Sequence, residues 1–230
     1  MPIHDLDFIE KIHFGNPTME QVKFLLRSNY LDGLTAQIKA NGLNRPASNA
    51  SEQTYAELLK LAETTEKLEN DPELKSQYKE RYLSEDRALI AGFKQLLVAN
   101  KVDNIESAHN MIDNIIQDTL PLITKLKFFF QRPRPYQLAF EYGIPMYYHA
   151  SVVIDSPSYP SGHAFMGRLL SLVIANKYPS LGETMANVTR DFNFSRIFMG
   201  VHYKSDIDFG VGIADLVFND IGFARTYQLR

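Results

Sequence analysis

Apolar side chains recur at helical spacing along nearly the whole chain, and no period-two alternation runs long enough to build a sheet. That pattern limits the chain to helices packed on helices, an all-α fold. Its 230 residues suffice for one large core. The reading is therefore one single-domain helical bundle over residues 1–230, with the first hundred residues forming N-terminal helices. Asn16-Pro17-Thr18 opens a helix carrying Met19, Val22, Leu25 and Leu26, and Asn41-Gly42 through Pro46 breaks the pattern. Ser51 caps a second helix. Asn70-Asp71-Pro72-Glu73 caps a third, which runs through Tyr82 to about Val98 with an interruption near Ser84. Asn104 opens the next, which Pro121 kinks or divides. Helical stretches follow at about 161–177 and 182–201, and a last apolar segment spans 206–223.

Composition removes several classes of function. There is no cysteine, so disulfides, thiolate chemistry and cysteine-built zinc sites are excluded. The formal net charge of −3 gives no global field for nucleic acid, so phosphate binding requires a local basic cluster. No apolar run reaches the roughly 18 residues of a membrane helix; the strongest, Leu169 to Ala175, ends at Asn176-Lys177. The chain reads as soluble and not membrane-spanning. Its first residues lack the basic and apolar regions of a signal peptide. The expected location is the cytoplasm, or the periplasm if a leader was removed.

From Arg132 to Tyr159 the pattern changes to prolines, Gly143 and many tyrosines, which reads as a long ordered loop with one short helix. Around it lie three motifs. Lys125 is followed after six residues by Arg132-Pro133. Pro160-Ser161-Gly162-His163 comes next. The third is Ser195-Arg196, five residues, His202, three residues, Asp206. Each is weak alone, and the three in this order are far more specific.

Together they resemble the signature of the type 2 phosphatidic acid phosphatase superfamily, which includes bacterial class A acid phosphatases, membrane lipid phosphatases and vanadium haloperoxidases. The stretch Ser195 to Asp206 looks most like the class A acid phosphatases, with Tyr203 where those commonly carry Trp. The signature covers residues 125 to 206. The resemblance implies a phosphatase in which Lys125, Arg132 and Arg196 bind phosphate, with no metal and no cofactor. It implies a small-molecule phosphate ester as partner and, by analogy with the class A enzymes, a homodimer.

The residue types suit that chemistry. Phosphoryl transfer spreads charge over three equatorial oxygens, so catalysis is mainly positioning and electrostatic stabilisation. Arginine offers a planar fork for two oxygens and lysine a point charge. Ser161 and Gly162 stand where a loop enters a helix, whose free N–H groups suit an anion; a plain N-cap by Ser161 is compatible with this. His202 and Asp206, four apart, lie on one face if helical. A carboxylate on Nδ1 then fixes the tautomer that leaves Nε2 able to attack. His202 is thus read as nucleophile, Asp206 as its orienter, and His163 as acid and then base. A His/Asp metal pair has no third ligand at convincing spacing. Vanadate-dependent halide oxidation and phosphotransfer to an alcohol are the alternatives the same site admits.

Other residues carry less. Lys127 and Arg134 add positive charge beside the first motif, for steering or simply in water. His149 reads as structural or superficial. Tyr136, Tyr142, Tyr147, Tyr148 and Tyr159 are pocket walls or packing. Phe128, Phe129 and Phe130 read as core. Ser205 and Asp208 help hold the third motif without a catalytic part.

Overall fold

The computed structural model describes residues 5–42, 45–76, 85–149 and 155–229. Among them there is no strand, and the helices follow in order as α1 Leu6–Glu10, α2 Met19–Leu26, α3 Asp32–Ala40, α4 Glu52–Glu69, α5 Glu85–Ala99, α6 Ile105–Phe130, α7 Pro135–Glu141, α8 Gly162–Lys177, α9 Gly182–Phe198, α10 Lys204–Phe218 and α11 Ile221–Thr226. The protein is all-α.

Helix α8 is the axis. It is buried nearly all round, through Phe165, Leu169, Leu170, Val173 and Ile174, as a helix apolar on every side must be. It packs against α9 and α10, and α5 and α6 also reach it. The seam with α10 is tight. A Cβ on Gly210 would stand 2.6 Å from the Ser161 carbonyl oxygen, so only glycine lets the two backbones approach this closely. The Ser161 N–H also donates to the Asp206 carbonyl across the seam, at 2.9 Å.

Helix α6 stays one helix through Pro121; the proline neither divides it nor ends it. Its core stripe includes Ala108, Ile112, Ile115, Thr119, Leu122, Ile123, Leu126 and Lys127. A second apolar cluster, with Ile9, Leu58, Leu138 and Tyr203, joins α1, α4 and α7 behind the third motif.

Several boundaries differ from the sequence reading. The last apolar segment is two helices, because Asp220 stops α10 and caps α11 by accepting from the Phe223 N–H. Helix α1 was not anticipated, being a single five-residue turn capped by Asp5. The interruption expected near Ser84 falls outside the described residues. Phe129 is not core: it is 41% exposed, with Lys39 and Arg45 over its ring.

Candidate active site

The third motif starts from a turn. Helix α9 ends at Phe198, and Gly200 reverses the chain with φ +68°. A Cβ there would meet the Tyr147 carbonyl oxygen at 2.6 Å, so both conformation and contact require glycine. His202 follows in the turn before α10. The expected shared helix face is therefore corrected: His202 is not helical, and Tyr203 is the N-cap. The pair meets because Asp206, in the first turn of α10, reaches back over the helix start. Its Oδ2 accepts from the Tyr203 N–H at 2.9 Å and lies 3.1 Å from His202 Nδ1. An acid that caps a helix start satisfies an orphan N–H and complements the dipole. The same carboxylate thus serves the fold and the imidazole.

The other imidazole nitrogen shows the tautomer. Arg134 Nη1 lies 3.0 Å from His202 Nε2. A guanidinium only donates, so Nε2 carries a lone pair and the proton sits on Nδ1, shared with Asp206. Burial, and then the charges of Arg134, Lys127, His163 and Arg196, hold the His202 imidazole well below the usual histidine range. The ring is neutral and nucleophilic in form.

Both histidines open on a cavity of about 280 Å³. Its polar lining is Lys127, Arg134, Ser156, Gly162, His163 and His202, with Gln21 and Asp155. Lys127 reaches it from the buried stripe of α6, its Nζ donating to the Pro157 carbonyl at 2.6 Å. Arg134 also donates to the carbonyls of Val201 and Ser156, both at 2.8 Å, and burial pushes its pKa down to about 10, so it is a cation at neutral pH. The rest of the lining is mainly apolar and includes Phe24, Leu89, Ile116, Leu120, Phe128 and Met166.

The remaining motif residues fall into three positions. Gly162 and His163 line the cavity at the start of α8. Ser161 is fully buried as the α8 N-cap, its Oγ accepting from the Ala164 N–H at 3.4 Å. Arg196 stands behind His163, Nη1 to Nε2 3.4 Å. Lys125 and Arg132, read from sequence as phosphate ligands, are not at the cavity. Lys125 points the other way and donates to Asp32 Oδ1 at 2.6 Å and to the Arg27 carbonyl at 2.7 Å. Arg132 is buried behind the histidine, donating to Asp206 Oδ1 at 2.7 Å and to Glu57 Oε2 at 3.1 Å, with its guanidinium 3.8 Å over the Tyr203 ring.

The physical reason is a two-residue ambiguity. The string Lys-Leu-Lys-Phe-Phe-Phe-Gln-Arg-Pro-Arg-Pro satisfies the same spacing from Lys127 to Arg134-Pro135. Two residues turn a helix by roughly 200°, so only one lysine can face inward. Lys127 continues the buried series Ile115, Thr119, Ile123 at intervals of four, a signal present in the sequence.

Other candidates are placed away from the cavity. The tyrosines do not line it: Tyr136 stacks on Tyr148 at 4.6 Å, Tyr142 donates to the Asn49 carbonyl, and Tyr159 stacks on Phe209 at 4.6 Å. His149 lies 3.9 Å from Glu69, and Asp208 pairs with Lys204 on the surface. Among the described residues no group of three or more His, Asp or Glu is arranged to hold a metal ion. No described helix is long and apolar enough to cross a membrane.

Comparison with known proteins bears on the same segment. Residues 112–219 match the model of the PAP2 superfamily. A non-specific acid phosphatase of Salmonella typhimurium is 33% identical over 102 residues, which is 44% of this chain and 40% of that protein. One from Salmonella typhi is 30% identical over 120 residues, 52% of this chain and 48% of that protein. This chain thus aligns with less than half the length of either curated relative. The solved structure of a transmembrane PAP2 type phosphatidylglycerolphosphate phosphatase from Bacillus subtilis overlaps at a TM-score of 0.46 and 18% identity. It covers 87% of this chain and 93% of that one, too loose a likeness to argue from.

Proposed function

We propose, from the match of residues 112–219 to the PAP2 superfamily model and the geometry of the site, that the chain is a metal-independent phosphatase that hydrolyses phosphate monoesters through a phosphohistidine on His202. The observation that carries the reading is the set of contacts on one imidazole. His202 shares its Nδ1 proton with Asp206 and presents its Nε2 lone pair to a cavity lined by Lys127, Arg134 and His163. The phosphate ligands in this reading are Lys127 and Arg134, with Arg196 and the free N–H groups at the α8 start beyond Ser161 and Gly162. Lys125 and Arg132 are not among them.

The reaction has two displacements. The ester enters as a dianion, and its oxygens draw the Arg134 guanidinium off Nε2. The freed lone pair attacks phosphorus in line while the bond to the leaving oxygen breaks. His163 delivers a proton to that oxygen. Asp206 stabilises the positive charge that phosphorylation puts on the imidazole. His163, now a base, takes a proton from water as the water oxygen attacks phosphorus, and His202 is released neutral.

The test is phosphate release from a panel of monoesters, with and without EDTA, for the full chain and for His202→Ala. Turnover that survives EDTA and falls at least about 10³-fold in His202→Ala is the expected result. Near-normal turnover in His202→Ala removes the nucleophile assignment. Activity lost to EDTA and restored by a divalent ion removes the metal-free reading.

A further inference from the structure

Asp206 cannot support an imidazolium if its own charge is spent elsewhere. Its Oδ1 accepts a 2.7 Å bond from Arg132, whose side chain is 1% exposed, and Asp206 is fully buried. Such a pair is nearly neutral as seen from His202. Yet the cations Arg134, Lys127 and Arg196 stand around the same ring. An Asp206 neutralised by Arg132 would leave the nucleophile facing three cations, with the exposed Asp155 of the cavity lining as the counter-charge on that side.

The second carboxylate on Arg132 changes that balance. Glu57 sits on α4, in the half of the chain outside the matched segment. Its Oε2 accepts from Arg132 Nη2 at 3.1 Å and from the Ser205 hydroxyl at 2.8 Å, and its Oε1 accepts the Ser205 N–H at 2.9 Å. Arg132 Nη1 closes the ring by donating to Ser205 Oγ at 2.8 Å. One guanidinium is thus shared by two carboxylates, leaving the cluster with a single net negative charge. Glu57 also grips the first turn of α10, from which Asp206 projects.

We infer that Glu57 is a positioning residue for the His202 reaction: through Arg132 and Ser205 it restores the negative charge of Asp206 and fixes its carboxylate against His202 Nδ1. This rests on the phosphatase reading for its catalytic part and on charge and geometry alone for the rest. Glu57 does not line the cavity, so it acts on the phosphorylation step and not on ester binding. The groups facing His202 are Asp206 from α10, Arg134 at the α7 start, Lys127 from α6, His163 from α8 and Arg196 from α9, with Asp155 across the cavity lining and Arg132 and Glu57 behind Asp206.

The experiment uses the full chain with isotope-labelled histidine, reading the His202 titration by NMR, alongside kinetics on p-nitrophenyl phosphate. Removing the negative charge in Glu57→Gln disfavours the imidazolium, so the titration moves down by about half a unit to one unit. Removing the cation in Arg132→Met moves it up by a similar amount, and the double variant returns close to the unmodified chain. In Glu57→Gln kcat falls about 10- to 100-fold with KM within about twofold, and the double variant recovers much of kcat. A structural role alone does not shift the titration in opposite directions for the two variants.

His202 titrations that do not move, or that move the same way in both variants, overturn the proposal. If Glu57→Gln does not fold, Glu57→Asp takes its place. That variant keeps the charge and should leave the titration within about 0.3 unit; a downward shift of a full unit there overturns the proposal. Absence of phosphate release from every ester tells against the phosphatase reading, while opposed titration shifts would still stand for the link to Asp206.

Discussion

Lys127 and Lys125 differ by two positions and by everything around them. Lys127 is buried at the cavity, while Lys125 is satisfied by Asp32 and the Arg27 carbonyl on another face of α6. Lys127→Ala and Arg134→Ala are each expected to lower kcat/KM for phosphate release about 10²- to 10³-fold, the range for removing a charge aimed at the reacting group. Lys125→Ala should stay within about threefold, because its ion pair is partly exposed and of the kind that contributes little. The pH dependence follows from the depressed His202. A nucleophile must be neutral, and a lowered pKa keeps it neutral as pH falls. The acid limb of kcat/KM should therefore lie below the ordinary histidine value of about 6.5, and a rate profile that halves at or above that pH would contradict the buried, cation-flanked imidazole.

The same residues show how far the sequence could be read. His202, His163 and Asp206 were legible because each sits in a short string whose spacing survives folding. The basic motif was legible only in part: its spacing fits twice, and the series Ile115, Thr119, Ile123, Lys127 that chooses between the fits is a pattern along the helix and not part of the motif. Glu57 left no trace, lying 75 positions from Arg132 and 148 from Ser205; such contacts are made by packing and not by pattern.

Between elements, the seam of α8 and α10 decides the site. One helix brings Ser161, Gly162 and His163, the other brings Asp206, and the Ser161 N–H joins them at the Asp206 carbonyl. Gly210→Ala places a methyl against the Ser161 carbonyl oxygen and forces the helices apart. Overpacking of this kind costs about 1–3 kcal/mol, so thermal melting should drop by several degrees and turnover should fall with it. An unchanged melting temperature would mean that the two backbones are not in contact. Helix starts capped by Thr18, Ser51 and Ser161 were legible in advance, because a polar cap before an apolar period is a local signal. The depth of the seam was not, because a glycine inside a helix does not say what approaches it.

At the scale of the whole molecule, the cavity joins two sources. Its charged lining comes from α6, α8, the segment before α8 and the turns before α7 and α10, within the matched segment 112–219. Part of its apolar wall comes from Phe24 on α2 and from Leu89 and Ile90 on α5, outside that segment. Water-loving leaving groups lose their hydration in such a slot, whereas apolar ones gain by burial. Among monoesters of one panel, naphthyl and p-nitrophenyl phosphates should exceed a hexose phosphate in kcat/KM by at least about tenfold. Equal values would place the leaving group outside the slot.

Arg134 on His202 Nε2 has a consequence for reagents that attack histidine. The lone pair is occupied at rest by a guanidinium hydrogen bond of 3.0 Å. An uncharged electrophile offers nothing to draw that cation away, so it meets a nucleophile already masked. On the proposed function, a phosphate or vanadate draws it away. On the phosphatase reading, Nε2 is then exposed only to compounds bearing a phosphate-like charge, and a covalent inhibitor for this site would have to be an anion first and an electrophile second.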